Sequence, residues 1–256
     1  MNSAERTLAI LELICDKKNG LRITEIAQAL DQSSPSIYYY IRSLMKTGFI
    51  YKDLSTQRYR ATYKVVDLGS KVIANNEISE ISYSLLSRLS EETHSTIHMA
   101  LKEGNMGVCI SKVGHSKAIP SISRIGEVFD LFPTALGKAI LSFLDKEELN
   151  KYLDEVDLVS FTENTITDKE ELRKELLLTK QRGYSIDNQE HMNGLCSLGV
   201  PVFDYTERII GSISVSLLPN FSEETVQDAF EKMNRVAKEL SRRLGKKDIS
   251  FYEAVR

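Results

Sequence analysis

The sequence has little of what marks a membrane, secreted or metal-clustered protein. No apolar run approaches the roughly 18 residues that a bilayer-spanning helix needs. Cysteine is scarce: Cys15, Cys109 and Cys196 are odd in number and far apart. That argues against a disulfide framework and suits a reducing cytoplasm. His94 and His98 lie four residues apart, but in a stretch that reads as loop into strand. With His191, Cys109 and Cys196 they do not make zinc spacing, so neither a metal nor a cofactor is expected. The ALGKA stretch lacks the first Gly of a phosphate-binding loop and the Ser/Thr after its Lys. Gly137 therefore reads as packing and Lys138 as surface. The opening MNSAERTLAILELICDKK carries Glu5 and Glu12 and no small-residue cleavage site, so it reads as an amphipathic helix rather than a signal peptide. There is no internal repeat and no low-complexity segment.

What is present suits two folded domains. The chain has 256 residues, 42% hydrophobic and 27% charged, enough to fill a core and too apolar for disorder. The net charge of -3 is unevenly spread. Residues 1–64 hold ten Lys/Arg against six Asp/Glu, a net +4, which leaves -7 for the remainder. A basic first domain suits a nucleic-acid contact confined to it.

Within that domain, TEIAQALDQSSPSIYYYIRSLMKTGF reads as helix, polar break, helix. In the helix before it, Leu8, Leu11 and Cys15, with Ile10 and Ile14, form an apolar stripe ending at Asn19-Gly20. Thr24 is placed to cap the next helix. Ser34-Pro35 starts the third, since proline has no N–H to lose in a first turn. There Ile37, Ile41 and Leu44 share one face, extended by Met45, while Tyr38, Tyr39 and Arg42 share another. This is the pattern of a helix-turn-helix, with one helix packed and the next left facing a DNA groove. Two short strands follow, Ile50 to Leu54 and Tyr59 to Tyr63, around a polar tip, Ser55-Thr56-Gln57-Arg58: a wing.

Residues 65–80 read as a linker helix that can carry dimer contacts. Beyond them strands and helices mix. TIHMALKEGNMGVCISKVG alternates around a Glu103-Gly104-Asn105 turn. Ser121 to Phe132 reads as strand and loop, and Pro133-Thr134-Ala135 opens a helix to Leu144. Capping boxes start helices at Asp145 and at Thr167, the second ending at Gly183. GVPVFDY and RIIGSISVSLL are strands. Ser222 caps a long final helix, with Phe221 and Val226 as a hydrophobic staple. The pattern is α+β, not a doubly wound sheet. The expected domains are 1–64, linker 65–80, sensor 81–248 and a C-terminal tail, 249–256.

The order of motifs resembles the IclR-type bacterial transcription regulators (isocitrate lyase regulator-like). ERTLAILELI, LRITEIAQAL, SIYYYIRSLMKTGFIYKD and RYRATYKVVDLG look like that family's winged helix-turn-helix. TALGKAILSFL, RGYSIDNQEH, GLCSLGVPVFD and GSISVSLL are similar to its sensor-domain elements. Two positions depart. Tyr39 stands where the family usually has an Arg. Ser197 stands where it often has a Cys, and Cys196 one residue earlier points away from the pocket if the segment is extended. The resemblance implies a GAF/profilin-like mixed α/β effector-binding domain. It also implies a homodimer or tetramer on double-stranded DNA, governed by an organic or aromatic acid.

Two sets of site residues follow. Ser34, Ser36, Tyr38, Tyr39 and Arg42 face DNA, their hydroxyls suited to phosphate oxygens and Arg42 to a phosphate or a guanine edge. Gln57, Arg58 and Arg60 on the wing reach the backbone. Tyr40 packs between helices. In GSISVSLL, Ser212, Ser214 and Ser216 alternate with Ile213, Val215 and Leu217. Alternation alone reads as serines in solvent; the resemblance places Ser214, Ser216 and Ser197 in the effector cavity. Backbone N–H groups at Thr134, Ala135 and Leu136 then seat an anion. Asp187 accepts from a ligand hydroxyl, or else is a solvated loop residue. The expectation is a cytoplasmic, ligand-responsive regulator on a palindromic operator, with repression favoured over activation. It has no catalytic residues and no membrane partner. The alternative is a small-molecule hydrolase with a winged-helix appendage, using Cys196 and His191 as nucleophile and base.

Overall fold

The structure, a computed structural model, describes residues 2–74, 77–116, 118 and 123–254. The chain divides into two compact units, Met1–Asn75 and Asn76–Arg256.

In the first unit, helix α1 (Ser3–Cys15) starts at a reciprocal cap. The Asn2 side chain accepts from Glu5 N–H at 3.0 Å, and the Glu5 carboxylate accepts from Asn2 N–H at 2.7 Å. Ile10 and Ile14 are buried; Leu8 and Cys15, expected in the same stripe, are exposed. At about 100° per residue, Leu8 lies on the far side from Ile10, so the buried stripe is narrow. Helix α2 (Ile23–Ala29) begins before Thr24, because the Glu25 carboxylate, reaching back to Arg22 N–H, supplies the cap. Helix α3 (Ser34–Lys46) is capped by the Ser33 hydroxyl, with Pro35 in the first turn. It buries Ile37, Ile41 and Leu44, whereas Met45 is exposed. Gly48, at φ 77°, ends the run in a conformation that costs a side chain strain. Strands β1 (Ile50–Asp53) and β2 (Arg58–Ala61) pair antiparallel from Ile50↔Ala61 to Asp53↔Arg58. The wing tip is thus residues 54–57; Arg58 belongs to a strand, and Leu54 is exposed. Tyr63, expected at the strand end, opens helix α4 (Tyr63–Ala74). Burying each core Ile or Leu contributes about 1.5–3 kcal/mol.

The second unit opens with helix α5 (Glu77–Thr93), so helices stand on either side of residues 75–76, which lie outside the described residues. Strands β3 (Ile97–Glu103), β4 (Met106–Val113) and β5 (Val128–Asp130) follow. The expected strand start at Ser121 lies outside the described residues. Helices α6 (Ala135–Leu141), α7 (Lys146–Glu155) and α8 (Lys169–Arg182) come next. Then come strands β6 (Ser185–Asn188), β7 (Cys196–Phe203) and β8 (Ile209–Leu217), and helices α9 (Glu223–Arg243) and α10 (Ser250–Ala254). The six-stranded sheet runs β5-β4-β3-β8-β7-β6, every described pairing antiparallel. This α+β arrangement is the fold class read from the sequence.

Three boundaries differ from the sequence reading. Helix α6 stops at Leu141 rather than Leu144. Asp168, not Thr167, caps α8, because its carboxylate takes both Glu170 and Glu171 N–H. Residues 249–254 are not a loose tail: Tyr252 of α10 is buried and donates to Pro201 O at 2.9 Å. No described helix is long and apolar enough to cross a membrane.

Alternation sorts the sheet into two faces. Met99, Leu198, Val200, Ile213 and Val215 pack with Leu86 and Leu89 of α5 and Phe230, Met233 and Leu240 of α9. On the opposite face stand His98, Ser197, Ser212, Ser214 and Ser216, under α6.

Candidate functional sites

On α3, Tyr38, Tyr39 and Arg42 project to solvent opposite the buried Ile37–Ile41–Leu44 line. Ser34 and Ser36 lie half-buried in its first turn. Tyr40 packs: its hydroxyl accepts from Arg6 at 3.5 Å, and its ring meets Tyr39 edge-on. On the wing, Gln57 sits at the tip with φ 58°. The Arg58 guanidinium forks onto both Glu25 oxygens at 3.0 Å and donates to Gly20 O at 2.9 Å. The Arg22 backbone N–H, with Arg58 behind it, holds the Glu25 carboxyl below its ordinary range. Both terminal nitrogens of Arg58 are therefore engaged within the unit. Arg60 is half-buried, its Nε 3.9 Å from Asp53. Hydrogen bonds from Ser55 and Thr56 take the Asp53 carboxyl down to about 2.

In the second unit, Thr134, Ala135, Leu136, Asp187, Ser197, Ser214 and Ser216 all line one partly open cavity. Strand register explains the convergence. Asp187 pairs with Ser197, and Ser197 with Ser216, so the three form a row across β6, β7 and β8. His98 pairs with Ser214 in the adjoining row across β3 and β8. Helix α6 is clamped over these rows. Ser185 donates to Ala135 O at 2.6 Å and Ser212 to Leu136 O at 2.8 Å. Two glycines permit the approach. A Cβ on Gly199 would sit 2.5 Å from Ala135 O, and one on Gly137 1.9 Å from Leu131 O. Gly137 is thus a packing residue, as the sequence suggested. The Thr134 hydroxyl caps Gly137 N–H at 3.0 Å. The first-turn N–H groups of Ala135 and Leu136 have no acceptor within the helix.

Burial rejects the solvent-facing reading of the serines and of Asp187: Ser214 is 4%, Ser216 6% and Asp187 4% exposed. Lys138 corrects the sequence reading most sharply. It was expected at the surface, yet it is 1% exposed and ion-paired with Glu190. Clamping α6 onto the sheet leaves it no outer face there, and burial is tolerable because Glu190 neutralises the charge. Glu190 N–H in turn donates to Asp187 Oδ1 at 2.7 Å.

Burial sets the cavity's electrostatics. It pushes the Asp187 carboxyl up to about 6, against the Glu190 N–H group and Lys138. It takes His98 down to about 4, with Lys112 adding to the effect, and lowers His191. Both imidazoles are neutral near pH 7. No Lys or Arg is among the described lining residues. His98, Cys109, Phe129, His191 and Leu195 also line the cavity and were not foreseen. The signal for His98 was its alternation with Ile97 and Met99, readable only once β3 is paired with β8.

Cys196 lies on the other face of β7, within the core, its thiol raised by burial and 3.4 Å from Asn188 Oδ1. It does not line the cavity with His191, so the nucleophile–base pairing considered from sequence is not formed. Among the described residues no group of three His, Cys, Asp or Glu is placed to hold a metal ion.

A winged helix-turn-helix joined to an α+β unit with a partly open cavity lined by serines, His98 and Asp187 defines a DNA-binding regulator with a sensor domain. Residues 3–54 match the IclR helix-turn-helix domain and residues 70–242 the bacterial transcriptional regulator IclR C-terminal domain. The chain belongs to the IclR family of transcription regulators. It is 30% identical over 246 residues to the HTH-type transcriptional regulator XynR of Escherichia coli K12, covering 96% of this chain and 98% of the relative. It is 29% identical to KdgR of the same strain, over 98% of this chain and 95% of that one. The Thermotoga maritima IclR crystal structure superposes with a TM-score of 0.80 at 35% identity, covering 96% of this chain and 99% of that one. An IclR homologue from Microbacterium hydrocarbonoxydans, complexed with 4-hydroxybenzoate, aligns with a TM-score of 0.78 over 93% of this chain and 97% of that one. At 16% identity that likeness is one of fold. These relatives are regulators rather than enzymes, and the hydrolase reading is set aside.

Proposed function

We propose that the protein is a cytoplasmic repressor that binds a palindromic operator as a homodimer, or as a tetramer built from it. A small organic or aromatic acid in the cavity shifts its DNA affinity. The observation that carries the sensor half is the convergence of three separate segments, 134–136, 187–197 and 214–216, on one cavity. Serine hydroxyls on rigid strands and the first-turn N–H groups of α6 supply donors for a carboxylate. Helix α6 has only seven residues, so its N–H groups matter here more than its dipole. Asp187 offers an acceptor to a ligand hydroxyl. A ligand that fits one arrangement of the dimer better than another shifts its population.

In the DNA half, Tyr38, Tyr39 and Arg42 enter the major groove, with Ser34 and Ser36 on phosphates. Gln57 and Arg60 supply the wing contacts. Arg58 we reassign to bracing the wing against α2, since a DNA contact would require it to leave Glu25 and Gly20. The dimer contact is assigned to α4, whose Tyr63, Val66, Leu68 and Val72 are all exposed. Leu68 and Val72, one turn apart, share one side of the helix, and an exposed apolar strip of that kind is what a second copy covers. Gel shift on the chain's own upstream DNA, with and without acids that raise the melting temperature, tests the reading. Salt-sensitive retardation that an acid weakens is expected; the absence of salt-dependent DNA affinity refutes it.

A further inference from the structure

The buried groups beside the cavity form a small charge system of their own. Lys138, Glu190 and Asp187 are respectively 1%, 6% and 4% exposed. The Lys138 ammonium is taken by Glu190, whose second oxygen, Oε2, is buried with no hydrogen-bond partner. That pair sums to zero and leaves the Asp187 carboxylate as the uncompensated charge of the cluster. Around Asp187 stand Ser197 at 3.5 Å, the backbone N–H of Glu190, His191 on the same loop and Cys196 on β7. His98 on β3 and Glu127 ahead of β5 also face the cavity. None of these is a cation near neutral pH. A carboxylate ligand therefore adds an anion to a cavity that already holds the Asp187 and Glu127 carboxyl groups; no Lys or Arg is among its described lining residues, and Lys112, paired with His98 across β3 and β4, donates to Ser123 O at 2.8 Å. Like charges confined in this way raise each other's proton affinity.

We propose that this site binds a carboxylate ligand together with one proton, taken up by Asp187, so that effector occupancy, and through it operator binding, depends on pH. This rests on the assignment of the cavity to an acid effector. Direct contact between the two carboxyl groups is not required. If the ligand's carboxylate lies at the α6 N–H groups, Asp187 still feels its charge across the cavity. If it lies against Asp187, the added proton becomes the hydrogen bond between them. The Asp187 carboxyl, already pushed up to about 6 before any ligand arrives, is mostly ionised at pH 7.5 and needs only a modest further rise to take the proton. The ligand's own carboxyl, ionised throughout this range, does not compete for it. His98 and His191, both held neutral by burial, do not supply the charge either.

Isothermal titration calorimetry on the full chain tests this, with gluconate, lactate and 4-hydroxybenzoate as probes between pH 5.5 and 8. Running each titration in buffers of different ionisation enthalpy counts protons. At pH 7.5 net uptake of a substantial fraction of a proton per site is expected, and affinity should fall as pH rises above 6, by up to tenfold per pH unit where uptake approaches one. Glu190→Gln frees the Lys138 charge to answer the ligand, so uptake should drop and the pH slope flatten. Asp187→Asn should abolish uptake. Binding with no uptake and a flat profile overturns the inference while leaving the acid-effector reading intact. So does full uptake that persists in Asp187→Asn. No binding by any of the three acids at pH 5.5, where affinity should be highest, defeats both.

Discussion

Replacing Asp187 by Asn should make the protein more stable while damaging its sensor. The Asp187 carboxyl is lifted from its ordinary 3.8 to about 6, with burial as the first cause. A raised carboxyl stabilises the fold only while protonated: its contribution is complete below the ordinary value and lost as pH rises through 6. The native state at pH 7.5 therefore carries a penalty of about 3 kcal/mol for holding this group ionised. Asparagine removes it. Its Oδ1 can still accept from Glu190 N–H, now at 2.7 Å, and the Lys138–Glu190 pair stays in place. The value of about 6 already includes the attraction of Lys138, and burying the amide in place of the carboxylate offsets part of the gain, so about 1–3 kcal/mol of net stabilisation is expected at pH 7.5. Urea denaturation followed by circular dichroism measures it, using the transition of the second unit. At pH 4.5 the advantage should shrink to about a third, and it should disappear as pH falls below 3.8. A variant less stable than wild type at pH 7.5, or a difference that does not change with pH, would refute the reasoning.

Other expectations separate binding from folding. Arg42→Ala should leave the melting temperature unchanged and weaken operator binding by about ten- to a hundredfold, the loss typical of a base or phosphate contact. Arg58→Ala should instead lower the melting temperature of the first unit, because it strips Glu25 of its fork; thermal denaturation alongside DNA titration distinguishes the two. Gly137→Ala drives a methyl into Leu131 O and should cost about 3 kcal/mol or more, read by denaturant midpoint. Ser214→Ala with Ser216→Ala should fold normally yet lose the thermal shift given by an acid ligand.

The sequence made the first unit legible because its signals are local. The spacing of Ile37, Ile41 and Leu44, the Ser–Pro start of α3 and the glycine at its end act within one or two turns. The strands of the second unit were legible through alternation, and the cavity residues through resemblance. What escaped depends on partners far along the chain. Lys138 looks like a surface lysine until Glu190, 52 residues on, is brought beside it. His98 became a cavity residue only through its register with Ser214. Arg58 looked free for DNA because nothing local announces that Glu25, 33 residues earlier, will claim both its terminal nitrogens. Charged side chains were misread as free when they are engaged, since exposure is set by tertiary packing and not by residue type.

The account stands on one linkage, that filling the serine-lined cavity changes DNA affinity. Fluorescence anisotropy with operator DNA, run with and without an acid already shown to raise the melting temperature, measures it directly. The account predicts a shift of tenfold or more in wild type and none in the Ser214→Ala, Ser216→Ala variant. An acid that stabilises the protein through this cavity yet leaves operator affinity unchanged would contradict it.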